Sequence, residues 1–82
     1  MKLNPLRKDL EDLLAERGLI KKWLKAKRLF EQNIKHPSLH AELLRPHWRG
    51  IYSFRLDKKY RALLFIVKGK AEIFQITNHY KK

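Results

Sequence analysis

The sequence predicts an α+β fold, with an N-terminal helix hairpin packed on a C-terminal antiparallel β-meander. Three observations carry this expectation. Apolar residues recur at helical spacing from Leu6 to Ile34, then switch to a period of two from Gly50 onward. Gly18 divides the helical part, and His36-Pro37-Ser38 ends it. Two short polar turns, Asp57-Lys58-Lys59 and Lys68-Gly69-Lys70, cut the second half into strand-length pieces.

Asn4 before Pro5 reads as an N-cap and a first helical residue. Asp9, Glu11 and Asp12 follow early, where the helix dipole favours acids, and Leu6, Leu10, Leu13 and Leu14 form one apolar stripe. A second helix is predicted over about 19–34. Its apolar side is Ile20, Trp23, Leu24, Ala26, Leu29, Phe30 and Ile34, and its other side carries Lys21, Lys22, Lys25 and Arg28. From Leu39 to His47 no period is readable, and Pro46 stops any regular element. Strands are predicted over 50–56, 60–67 and 71–77, the middle one central because it is the most apolar. Trp23, Leu24, Phe30, Tyr52, Phe54, Phe65 and Phe74 are assigned to the core. Trp48 is assigned to the space between loop and sheet, in preference to stacking on RNA beside His47.

At 82 residues the chain is expected to be one domain, 1–82, with a modest core. Its charge is more informative. Twenty Lys and Arg against eight Asp and Glu give a formal +12 and a pI near 10.3. Such a field selects polyanions: nucleic acid first, an acidic protein second, an anionic membrane surface third. There is no 18-residue apolar run and no signal-peptide pattern at MKLNPLRKD, so no membrane partner is expected. The absence of cysteine removes disulfides and thiol chemistry and fits a cytoplasmic location.

Few residues stand out for chemistry. Arg55 and Arg61 flank a short turn, either as two solvated strand-end charges or as a grip for an anion. His36 and His40 have the spacing of a helical metal pair, but Pro37 and Ser38 lie between them; neither a metal nor another cofactor is expected. His79 and Tyr80 follow directly on the last strand, as a polar terminus or as part of a site.

The stretch from His40 to Lys82 resembles the C-terminal half of the RelE/ParE toxin superfamily, most of all its YoeB-like ribosome-dependent mRNA interferases. Glu42, Leu44, Arg45, Gly50, Tyr52, Ser53 and Arg55 fall in that branch's order, Tyr60 and Arg61 open the next strand, and His79-Tyr80 closes the chain. The preceding helices match in type and order only. Relatives begin with a full strand, and here only Met1 to Leu3 precede Asn4, so that first strand is expected to be short or missing from a RelE-like microbial RNase fold.

The resemblance implies a type II toxin–antitoxin toxin that cleaves mRNA in the ribosomal A site of the 70S ribosome, without a metal. The 2′-hydroxyl would attack the adjacent phosphorus and expel the 5′-oxygen. That chemistry needs a base, positive charge at the phosphorane and an acid. The resemblance places Glu42 as base, near basic residues such as Arg45; that Glu42 merely pairs with Arg45 or caps a turn stays open. It places Arg61 as the transition-state clamp, His79 as acid, and Tyr80 as orienting or proton-donating group. Arg45 and Arg55 would add phosphate contacts, and Lys21, Lys22, Lys25 and Arg28 would face RNA backbone. An acidic antitoxin protein is the implied partner. The alternatives are a non-catalytic ParE-like topoisomerase inhibitor or an inactivated RNA- or ribosome-binding relative.

Overall fold

Two helices and a four-stranded antiparallel sheet make up residues 1–78, the part of the chain that this computed structural model describes. Helix α1 spans Lys8–Glu16 and α2 Ile20–Gln32. Strands β1 (Glu42–Leu43), β2 (Tyr52–Arg55), β3 (Arg61–Val67) and β4 (Lys70–Thr77) lie in that order across the sheet. The expected helix hairpin and meander are therefore present. The segment left unassigned by sequence adds a fourth strand, which contains Glu42.

The helix hairpin turns where the sequence placed the glycine. Gly18 adopts a φ of +67°, which an L side chain rarely tolerates. There Leu19 N–H donates to the Leu14 carbonyl at 2.8 Å and Gly18 N–H to the Ala15 carbonyl at 3.2 Å. These two bonds satisfy carbonyls that the helix end leaves open, and Leu14 and Leu19 are both buried beside them.

The start of α1 differs from expectation. The helix begins at Lys8, and Asn4 does not cap it. Asn4 N–H instead donates to the Ala71 carbonyl at 2.8 Å, and Ala71 N–H donates to the Lys2 carbonyl at 3.0 Å. Leu3 and Ala71 thus form one parallel bridge, all that stands in place of a first strand. The segment is tied from the other side by Leu3 N–H donating to the Glu31 carboxylate at 3.0 Å. Arg7 takes the helix entry, donating to Asp9 at 3.0 and 3.1 Å and to the Phe74 carbonyl at 3.1 Å. Backbone groups on the β4 edge at Ala71 and Phe74 are thereby paired, which explains why the local capping signal lost.

The core lies between the helices and one face of the sheet. Phe54 sits at its centre, its ring 5.0 Å from Phe30 and 6.2 Å from Trp23. Ala62, Leu64, Ala71, Ile73 and Ile76 complete the buried sheet face. A bulge between Leu63 and Leu64 shifts the β3–β4 register, so that Ile73 and Ile76 are both buried although three residues apart. Four assignments are corrected. Leu24 is exposed on α2, Phe65 is 37% exposed and stacks on Phe74 outside the core, and Trp48, expected between loop and sheet, is 84% exposed. Period alone cannot show that β2 ends at Tyr52, opposite Leu64, so that residues 65–67 of β3 pair with β4 alone and lie exposed.

Candidate active site

Strand alternation assembles the site. Phe54 faces the helices, so Ser53 and Arg55 project from the opposite face of β2. Ala62 and Leu64 face the helices, so Arg61 projects with them. Register pairs Glu42 with Ser53, Arg55 with Arg61, and Arg61 with Thr77. Four strands thus bring one residue each, or two, to a single patch.

Arg61 is the organised centre of that patch. Its Nε and Nη2 both donate to the Ser53 hydroxyl, at 3.0 and 2.9 Å, and Nη2 also donates to the His40 carbonyl. The Glu42 carboxylate stands 3.6 Å from Nη2. The Arg61 side chain is only 12% exposed and Glu42 is about a third exposed. The guanidinium is fixed, while the carboxylate beside it still meets solvent. Glu42 therefore pairs with Arg61 and not with Arg45, which is exposed in the loop after β1.

The His40 carbonyl reaches Arg61 because His40 has a left-handed backbone, φ 44° and ψ 46°, after the 3₁₀ turn Pro37–Leu39. His36 serves the same turn, its Nδ1 accepting from Ser38 N–H at 3.2 Å. The two histidines spaced like metal ligands are thus turn residues. Among the described residues no cluster of three or more His, Asp or Glu could hold a metal.

Arg55 donates to the Asp57 carbonyl at 3.1 Å. The Asp57 carboxylate organises its own turn, accepting from Lys59 N–H at 2.8 Å and Tyr60 N–H at 2.7 Å. It also accepts from Lys22 Nζ at 2.9 Å. Burial pushes the Asp57 carboxyl up, but the Tyr60 amide, the Lys22 ammonium and the Lys59 amide together more than offset this and hold it below the usual carboxylate range. Lys22, itself exposed like Lys21, Lys25 and Arg28, is consequently a strut between α2 and the β2–β3 turn. The four-cation stripe expected on α2 is not uniform.

Arg55, Arg61, Lys58, Lys59, Asp57 and Asn78 line an open cleft at this end of the sheet. With Asp57 engaged by its turn, four cationic side chains line the cleft, of which Arg61 is already bonded to Ser53 and the His40 carbonyl. His79 and Tyr80 lie outside the described residues. Two features of the site carried no assigned role in the sequence reading. Ser53 was legible in principle, two residues before Arg55 and so on its face; the His40 carbonyl, a backbone group, has no side-chain signature.

No protein-family model matches the chain, and no curated protein matches it by sequence. Solved structures do match its shape. A YoeB dimer from Staphylococcus aureus superposes with a TM-score of 0.70 over 96% of this chain and 94% of that one, at 17% identity. The fold is that of YoeB. Two YoeB–YefM complexes from the same organism, one described as a heterotetrameric toxin–antitoxin complex, match with a TM-score of 0.69 at 20% identity, covering 98% of this chain and 100% of theirs. The chain keeps that fold over nearly its full length with only a bridge at Leu3. Among the described residues no helix is long and apolar enough to cross a membrane.

Proposed function

We propose that the chain is a toxin-type endoribonuclease that cleaves mRNA in the ribosomal A site, in the cytoplasm, and that an acidic antitoxin neutralises it. The observation that carries this reading is the clamped Arg61 beside Glu42 on the open sheet face of a YoeB-like fold. A pure binding surface has no need of a guanidinium held by a buried hydroxyl with a carboxylate against it.

In the reaction, Glu42 takes the proton of the 2′-hydroxyl as its oxygen bonds to the neighbouring phosphorus. Arg61 stabilises the charge that builds on the phosphorane oxygens, and Arg55 and Arg45 hold flanking phosphate. The bond to the 5′-oxygen breaks, and an acid, His79 or Tyr80, returns a proton to it. The products are a 2′,3′-cyclic phosphate and a 5′-hydroxyl. Every part is supplied by side chains, and the ribosome would supply much of the positioning. Lys21, Lys25 and Arg28 add sequence-blind contacts to ribosomal RNA backbone, and Lys22 contributes through the β2–β3 turn.

The test is cleavage of a defined mRNA on programmed 70S ribosomes, with wild type beside Arg61→Ala and His79→Ala and the product ends mapped. Cuts in the A-site codon that vanish in both variants are the expected result. Intact message with the wild-type protein bound to the ribosome would leave the non-catalytic alternative, a ribosome-binding or topoisomerase-binding relative.

A further inference from the structure

We infer that Trp48 is a stacking platform for an unpaired base of the RNA strand that enters the Arg61 cleft. The inference rests on the RNA-directed reading of that cleft, and its test requires no cleavage. Trp48 is the most exposed large apolar side chain among the described residues, at 84%. It does not sit on a loose loop. Arg49 N–H donates to the Pro46 carbonyl and Gly50 N–H to the His47 carbonyl, both at 3.1 Å, and Leu44 N–H donates to the Ile51 carbonyl at 2.8 Å. Gly50, at φ +67°, closes this 3₁₀ turn His47–Arg49 and returns the chain to β2.

The surroundings select the partner. Arg45, His47 and Arg49, the near neighbours of Trp48 in sequence, are all exposed, and no acid occurs from Leu43 to Leu56. A flat exposed ring among cations is how single-stranded nucleic acid is held: cations follow the phosphates and the ring takes a base face. A duplex hides its base faces, and an acidic peptide needs the cations but not the ring. The turn also continues the hairpin that carries Glu42 and Ser53. Five positions separate Trp48 from Ser53, so their Cα atoms lie within roughly 18 Å. A base on Trp48 would thus belong to the same short stretch of RNA as the phosphate gripped by Arg61.

The chain has two tryptophans, and Trp23 is buried against Phe54, so a ligand-dependent change in tryptophan emission reports Trp48. Wild-type protein is titrated with a single-stranded 2′-O-methyl adenine hexamer, which lacks the attacking hydroxyl, with the same hexamer in a duplex, and with poly-glutamate. The expected result is quenching by the single strand only. Trp48→Ala should weaken binding roughly ten- to hundredfold with an unchanged salt slope, and Trp48→Phe should restore most of it. Arg49→Ala should instead lower the salt slope by about one. Because Trp48 is exposed, thermal midpoints of wild type and Trp48→Ala should coincide. Equal affinity of wild type and Trp48→Ala for the hexamer overturns the inference while leaving A-site cleavage to stand or fall by the ribosome assay. Quenching by poly-glutamate and not by the hexamer also overturns it, assigning the turn to an acidic protein.

Discussion

The Arg61 guanidinium donates twice to one buried hydroxyl, that of Ser53, from the neighbouring strand at 3.0 and 2.9 Å. Ser53 is 1% exposed, so the hydroxyl has been withdrawn from water to serve this contact. A mobile cationic side chain becomes a fixed one, aimed over the open face of the sheet.

Ser53→Ala should reveal that coupling. Hydrogen bonds to charged groups contribute roughly 1.5–3 kcal/mol, so about 2 kcal/mol of stability should be lost in urea denaturation. Single-turnover cleavage on ribosomes should fall at least about tenfold with ribosome affinity retained, because the clamp loses aim and not charge. Cleavage at the wild-type rate would show that the His40 carbonyl alone positions Arg61.

Arg61→Lys separates charge from shape. Lysine keeps the positive charge but cannot hold Ser53 and still present a planar fork to phosphate. Cleavage should drop by about 10²–10³, the range for losing one preorganised donor at a charged transition state, while binding to programmed ribosomes persists. A loss of less than about threefold would mean that only the field matters at this position.

Asp57 predicts a pH dependence of stability. Its folded-state carboxyl lies below the ordinary 3.8. The stabilisation is therefore complete above the unfolded value and is lost as pH falls through the folded value. Asp57→Asn retains an acceptor for the Lys59 and Tyr60 amides but loses the charge that Lys22 bonds. The difference in unfolding free energy between wild type and Asp57→Asn should be constant from pH 7 to about pH 5 and shrink below about pH 4. A difference that grew on acidification would contradict this sign. Asp57→Ala, which removes the turn acceptor as well, should be the less stable variant at every pH.

At Gly18 the cost of a side chain is backbone strain alone. A Cβ there meets nothing within 4 Å, but φ is +67°. Gly18→Ala should cost about 1 kcal/mol, a fall in thermal midpoint of roughly 4–8 °C for a domain of this size. Gly18→Asn should cost less, because asparagine tolerates the left-handed region.

Much of this was readable from local rules. The glycine turn between helices, the Asp57 and Lys68-Gly69 turns, and the change of period all follow from neighbours in sequence, and each appears where expected. The pairing of Arg55 with Arg61 follows too, because a short turn fixes a hairpin register. Asn4 was misread because a capping signal is local, whereas the edge of β4, far along the chain, claims its backbone. Trp48 was misread because an aromatic residue is usually buried and nothing in its neighbours says that the turn His47–Arg49 leaves it uncovered.

The sequence by itself determined both helices, three of the four strands, their order and the excess of cations, since these depend on chain stiffness, residue spacing and charge. Only the tertiary structure decided that Glu42 lies on a strand opposite Ser53, that Ser53 and the His40 carbonyl hold Arg61, and that Lys22 is engaged by Asp57. Those relationships join residues up to 35 positions apart, as Lys22 and Asp57 are. They are set by sheet register and by unpaired backbone groups finding partners, and no periodicity along the chain records either.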